Sequence, residues 1–165
     1  MPIELEVNAI KIKMVVVKKG GSKMKFKIFV CIVGVMLISS GCSKKPAGNP
    51  AAEAAAVSAA QVWLGLTDGG QYGESWEEAA GYFKKAITKE KWEEAMNAAR
   101  VPLGAMVSRS VSSKQYMTSV PGAPDGEYVM VQFKTSFANK ASAVETVTPM
   151  LDKDGKWRIS GYYIK

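Results

Sequence analysis

Three apolar-alternating runs decide the fold: EYVMVQFKTSF at 127–137, ASAVETVTPML at 141–151 and KWRISGYYI at 156–164. Each alternates side chains with a period of two, the signature of a strand with one covered face, and short turn segments separate them near Asn139-Lys140 and Asp154-Gly155. Two-residue hairpin loops at both places would fix the register. That register puts Val129, Val131, Phe133, Thr135, Val144, Thr146, Thr148, Met150, Ile159 and Tyr163 on one face, which should cover helices. It puts Tyr128, Met130, Gln132, Lys134, Glu145, Val147, Leu151, Arg158, Ser160 and Tyr162 on the other. From this second set, Tyr128, Met130, Val147 and Tyr162 form a candidate interaction face, because mixed apolar and charged faces suit docking. Upstream, 105–120 reads as a serine-rich strand or strand pair, and PGAPDG at 121–126 is turn chemistry.

Before the strands the period is helical. Ala56, Ala59, Ala60, Trp63 and Leu66 share one side of a first helix that ends at Asp68-Gly69-Gly70. Ser75-Trp76-Glu77-Glu78 has capping-box spacing and predicts a second helix burying Trp76, Ala79, Ala80, Phe83 and Ile87. Thr88 is the expected N-cap of a third, with Trp92, Ala95, Met96 and Ala99 inward, stopped by Pro102 and Gly104. Each tryptophan falls on the apolar stripe of its own helix, so core packing explains them better than an aromatic ligand box. The fold class is therefore α+β: about three N-terminal helices packed on a curved antiparallel sheet of about four strands, in a single domain spanning 55–165.

The chain's start has a different character. KMKFKIFVCIVGVMLISSG at 23–41 places three lysines, an apolar run and small residues in the order of a secretory signal. The run is shorter than the roughly 20 residues a spanning helix needs. LISSGCS at 37–43 resembles the lipobox of bacterial lipoproteins, with Gly41 and Ser40 before Cys42 and Ser39 where leucine is usual. The resemblance implies lipid attachment at Cys42, cleavage before it, and a membrane-anchored protein of the bacterial cell envelope facing the periplasm or exterior. Ordinary cleavage after Gly41, leaving a free thiol, is the alternative. Residues 1–41 are read as leader, with Met24 or Met14 as alternative starts, and 42–54, carrying Pro46 and Pro50, as a tether.

Charge follows the same division. Residues 1–41 hold 7 of the 22 Lys+Arg and 2 of the 15 Asp+Glu, leaving 15 minus 13, or +2, for the remainder. The basic pI is thus the leader's, and no nucleic-acid partner is expected. The other cysteine, Cys31, lies in the apolar run, so no cysteine pair remains for a disulfide within the domain.

WLGLTDGGQYGESWEEAAGYFK, RVPLGAMVSR, PGAPDGEYVMVQF and ETVTPMLDKDGKWRISGYYI, in that order, resemble the bacterial domain of unknown function 4019 family across 58–165. The resemblance implies a small exported α+β domain and brings no catalytic residues. The order of helices then meander is also similar to the nuclear transport factor 2-like cone, an analogy of fold alone.

Candidate chemistry is sparse. With no histidine and no cysteine beyond Cys42 in the mature chain, imidazole and thiolate catalysis and thiolate metal sites are excluded from the domain. Glu145 is the one carboxylate inside a predicted strand, and the register sets it opposite Lys134 as a cross-strand pair. Arg109 shares a strand side with Val107 and Val111, where a half-buried guanidinium would need a carboxylate or would hold an anionic ligand. Arg109, Lys134 and Glu145 are thus the candidate polar pair or pocket, and no cofactor or metal is implied. The sequence reads as a lipid-anchored, non-catalytic binding or interaction module. Its rivals are a ligand-binding or enzymatic cavity using Glu145 and Arg109, and a self-associating envelope scaffold.

Overall fold

The computed structural model describes residues 48–165. Helix α1 runs Pro50–Asp68. Asn49 starts it, its side-chain oxygen accepting from the Ala52 N–H at 3.1 Å, and Pro50 fills the first position, where no N–H is needed. Residues 50–54, read from sequence as the end of a tether, are therefore the opening turns of α1, with Ala52 already buried. The helix stops at Gly69 and Gly70, the latter at φ 72°.

Three helices follow α1 where the sequence predicts two: α2 Tyr72–Glu77, α3 Gly81–Ala86 and α4 Lys89–Arg100. The capping box is not realised. Ser75 lies buried inside α2, its hydroxyl donating to the Tyr72 carbonyl at 2.7 Å and accepting from the Trp92 indole N–H at 2.9 Å. The expected second helix breaks because Ala80 turns extended, at φ −61° and ψ 149°, and its N–H donates to the Ile159 carbonyl at 2.9 Å. A tertiary bond to the sheet thus displaces helix continuation at Ala80, just before Gly81, whose helix propensity is poor. Thr88 caps α4 as predicted, accepting from the Lys91 N–H at 3.4 Å.

A 3₁₀ turn, Val101–Leu103, leads into four strands: β1 Met106–Met117, β2 Tyr128–Phe137, β3 Lys140–Leu151 and β4 Trp157–Ile164. They form one antiparallel meander in the order β1-β2-β3-β4. The α+β class and the helices-then-sheet order stand as read.

The register differs. Phe137 pairs Lys140 around a tight loop, but an irregularity between Thr135 and Phe137 offsets the ladder, so Phe133 faces Glu145 and Lys134 faces Val144. A one-residue offset exchanges the two faces of a strand. Ala143, Glu145, Val147 and Pro149 consequently point inward, while Val144 is 38 % exposed. In β4 a second irregularity opposite Thr148 and Pro149 keeps Ile159 inside, turns Tyr162 in opposite Val147, and leaves Tyr163 62 % exposed.

The core joins Ala56, Ala60, Trp63 and Leu64 of α1, Phe83, Trp92 and Met96 to Val129, Val131, Phe133, Val147 and Ile159. Trp92 meets Phe83 edge-on at 5.0 Å, and Trp63 lies 5.9 Å from Trp92 and 5.5 Å from Tyr162. Such pairs contribute about 0.5–1.5 kcal/mol each beyond their buried area. Trp76 is half-buried at the margin, its indole N–H donating to the Ile87 carbonyl at 2.9 Å.

Candidate functional site

The functional candidates converge at one place, though not in the pairing the sequence predicts. β3 carries Glu145 inward, and its side chain is 0 % exposed. One carboxylate oxygen accepts from the Arg100 guanidinium at 3.1 Å and the Tyr162 hydroxyl at 2.7 Å. The other accepts from Arg109 Nε at 2.7 Å and the Thr135 hydroxyl at 2.6 Å. Asp68, the last residue of α1, receives the remaining edge of Arg109 as a two-pronged pair at 2.6 and 2.8 Å, and it also pairs with Arg100. The Arg100 guanidinium lies 4.5 Å over the Phe137 ring.

Two cations and two anions thus neutralise one another, and among the described residues no buried side-chain polar atom lacks a partner. Such closure is what a buried ionic cluster requires, since removing each ion from water costs several kcal/mol unless its partners are well placed. Asp68 sits where the partial negative charge of α1's carboxyl end disfavours an anion, and the two guanidinium groups offset that.

The candidates therefore divide. Arg109 and Glu145 meet, and Arg109 has the carboxylate partners that its half-buried place demands. Lys134 is exposed on the outer sheet face opposite Val144, so the predicted Lys134–Glu145 pair does not form. The candidate interaction face also dissolves. Val147 is buried in the core, and Tyr162 turns inward onto Trp63 and Glu145. Tyr128 keeps its outward parity but is fully covered, its hydroxyl donating to the Pro124 carbonyl at 2.6 Å beneath the β1–β2 connection. Only Met130 remains on the outer face, half-buried. Cys42 lies outside the described residues.

The family described as protein of unknown function, DUF4019, matches residues 59–162. The chain belongs to this family. Among curated proteins and among solved structures nothing matches. Every member of the charge cluster, from Asp68 to Tyr162, lies inside the segment that defines the DUF4019 domain here.

Two members are displaced from their ordinary protonation behaviour. Burial by itself would lower the Arg109 pKa, but hydrogen bonds to Asp68 and Glu145 outweigh it and hold the group above its usual value. Burial first, then the negative charge of Glu145, pushes the Tyr162 hydroxyl well above the usual phenol range. Outside the cluster, in the β3–β4 turn, Arg158 grips Asp154 through two bonds of 2.7 and 2.6 Å and lowers its pKa to about 2. Among the described residues no three His, Cys, Asp or Glu side chains gather as a metal ion would need.

Sequence reasoning missed Asp68, Arg100 and Thr135 as site members, and it set Tyr162 facing outward. A signal for Arg100 was present: Trp92, Met96 and Arg100 recur at a spacing of four, and all three are buried. Asp68 gave none, since its place before Gly69-Gly70 is that of an ordinary helix terminator.

Proposed function

We propose that this DUF4019 protein is a lipid-anchored component of the bacterial cell envelope, tethered at Cys42, whose domain serves as a non-catalytic interaction module. One observation carries the non-catalytic reading. Glu145 and Arg109, the best candidates for an acid and an anion holder, are already bonded to Asp68, Arg100, Thr135 and Tyr162. A working acid needs a free edge toward its substrate. Here both carboxylate oxygens of Glu145 accept from donors of the protein itself.

The anchor reading rests on the basic, apolar and small-residue order of 23–41 and on the placement of Cys42. Nothing in α1 contradicts it, because no helix of the described residues is long and apolar enough to cross a membrane. A single acyl chain binds bilayers only marginally, so stable retention requires at least two chains on Cys42. Mass spectrometry of the mature amino terminus tests the anchor. The expected peptide begins at Cys42 and carries acyl chains, and Cys42→Ser releases the protein from the membrane fraction. An unmodified thiol, or retention of the serine variant, overturns the lipoprotein reading.

A further inference from the structure

Five methionines lie among the described residues, and the sheet brings three of them around one tyrosine. The β1–β2 ladder sets Met117 opposite Tyr128, and the β2–β3 ladder sets Met150 opposite Tyr128 from the other side. Met130 follows two positions along β2 and so shares the outer face. All three are half-buried, whereas Tyr128 is fully covered. Of the other two, Met96 is sealed in the core and Met106 sits at the opposite end of β1.

Packing alone does not call for sulfur here. Strands favour β-branched and aromatic side chains, yet each large apolar strand neighbour of Tyr128 on this face is a thioether. Directly opposed residues lie about 5 Å apart, and alternate residues of one strand about 7 Å. The three backbones therefore stand within about 10 Å of one another, a gap that unbranched side chains with three rotatable bonds can close.

The surroundings accept a cation. Arg158, next in the row beyond Met150, is gripped by Asp154 and reaches Asp152 at 3.4 Å, so its charge is already matched. Burial first, then Tyr82 and the Asp125 carboxylate, hold the Tyr128 phenol above its usual value, which sets a negative charge near the trio. Toward β4 the face is open: a Cβ added at Gly161, opposite Thr148, would meet nothing closer than 3.8 Å.

We propose that Met117, Met130 and Met150 form a binding site for one soft monovalent cation, Cu(I), on the outer sheet face beside Tyr128. Thioether sulfur selects Cu(I) over hard divalent ions. It is neutral, so no proton has to leave before the metal binds. The domain has no histidine, and both cysteines precede it, so no other soft ligand competes within it. The site goes beyond the interaction module proposed above and does not depend on the Cys42 anchor.

Competition with bicinchoninate for Cu(I), kept reduced by ascorbate, tests this on the full chain in detergent. Cys31→Ser and Cys42→Ser are present throughout, because a free thiol binds copper itself. One Cu(I) per chain should be retained, with a sulfur-only first shell by X-ray absorption and an affinity unchanged from about pH 7 to about pH 5. Met117→Leu, Met130→Leu and Met150→Leu conserve packing volume, and each should weaken binding at least about tenfold. The triple variant should bind none, Met106→Leu should change nothing, and all should keep the thermal midpoint. A wild type that yields its copper to bicinchoninate, a first shell of nitrogen or oxygen, single substitutions no more damaging than Met106→Leu, or binding that survives the triple substitution overturns the proposal.

Discussion

Glu145 shows how far one side chain can bind a fold together. Its two oxygens collect donors from α4, β1, β2 and β4, so its carboxylate is a meeting point of four elements. Truncating one member of a buried ionic cluster leaves the others uncompensated, and Glu145→Ala should destabilise the domain by roughly 3–5 kcal/mol. Urea denaturation measures this, and a midpoint near the wild type would mean that the cluster contributes nothing net. Tyr162 adds a pH dependence. Its folded pKa lies above its unfolded value, so the folded state keeps a proton that the unfolded chain releases near pH 10. The stabilisation is complete below about pH 10 and declines as pH rises beyond it. Tyr162→Phe should flatten this alkaline decline, measured as the difference in unfolding free energy between pH 9 and pH 11, values chosen to bracket an ordinary phenol at about 10. Arg109 and Glu145 were both legible in the sequence as groups needing partners. Their partners were not, since Asp68 lies 77 positions before Glu145 and no local pattern links the two.

At the scale of elements, local patterns held where local physics dominates. The strand runs, the Thr88 cap, the Asp68-Gly69-Gly70 stop and the helical burial of Trp63 and Trp92 all follow from spacing and capping. Patterns failed where a second element competes. Ser75 has the spacing of an N-cap, yet its hydroxyl serves Trp92 from within α2, and Ala80 gives its N–H to β4. The face of β3 was misread for a similar reason. ASAVETVTPML has valine on both parities, so alternation cannot choose a side, and the loop geometry chooses it. Two valines test this directly. Val147→Ala, from the core, should cost about 2 kcal/mol, and Val144→Ala, on the outer face, less than about 0.5 kcal/mol. Equal costs, or the reverse order, would restore the register read from the sequence.

For the whole molecule, the helices, the sheet and the charge cluster form one closed unit, with the ends of α1 and α4 pinned to β1 and β3 by the Asp68, Arg100, Arg109 and Glu145 side chains. The sequence by itself determined the α+β class, the order of helices then strands, the likeness to the DUF4019 family, and the burial of Trp63 and Trp92, though not that Trp76 stays at the margin. These depend on periodicity and on phrases that survive in linear order. Only the tertiary structure decided which face of β3 covers the helices, where α2 yields to α3, and that Glu145, the one carboxylate within the strands of the described residues, is consumed by four donors. Each of those outcomes is a competition between groups distant in sequence. A one-residue offset at a hairpin, or one N–H captured by a neighbouring strand, moves a whole set of side chains without leaving a mark on local spacing.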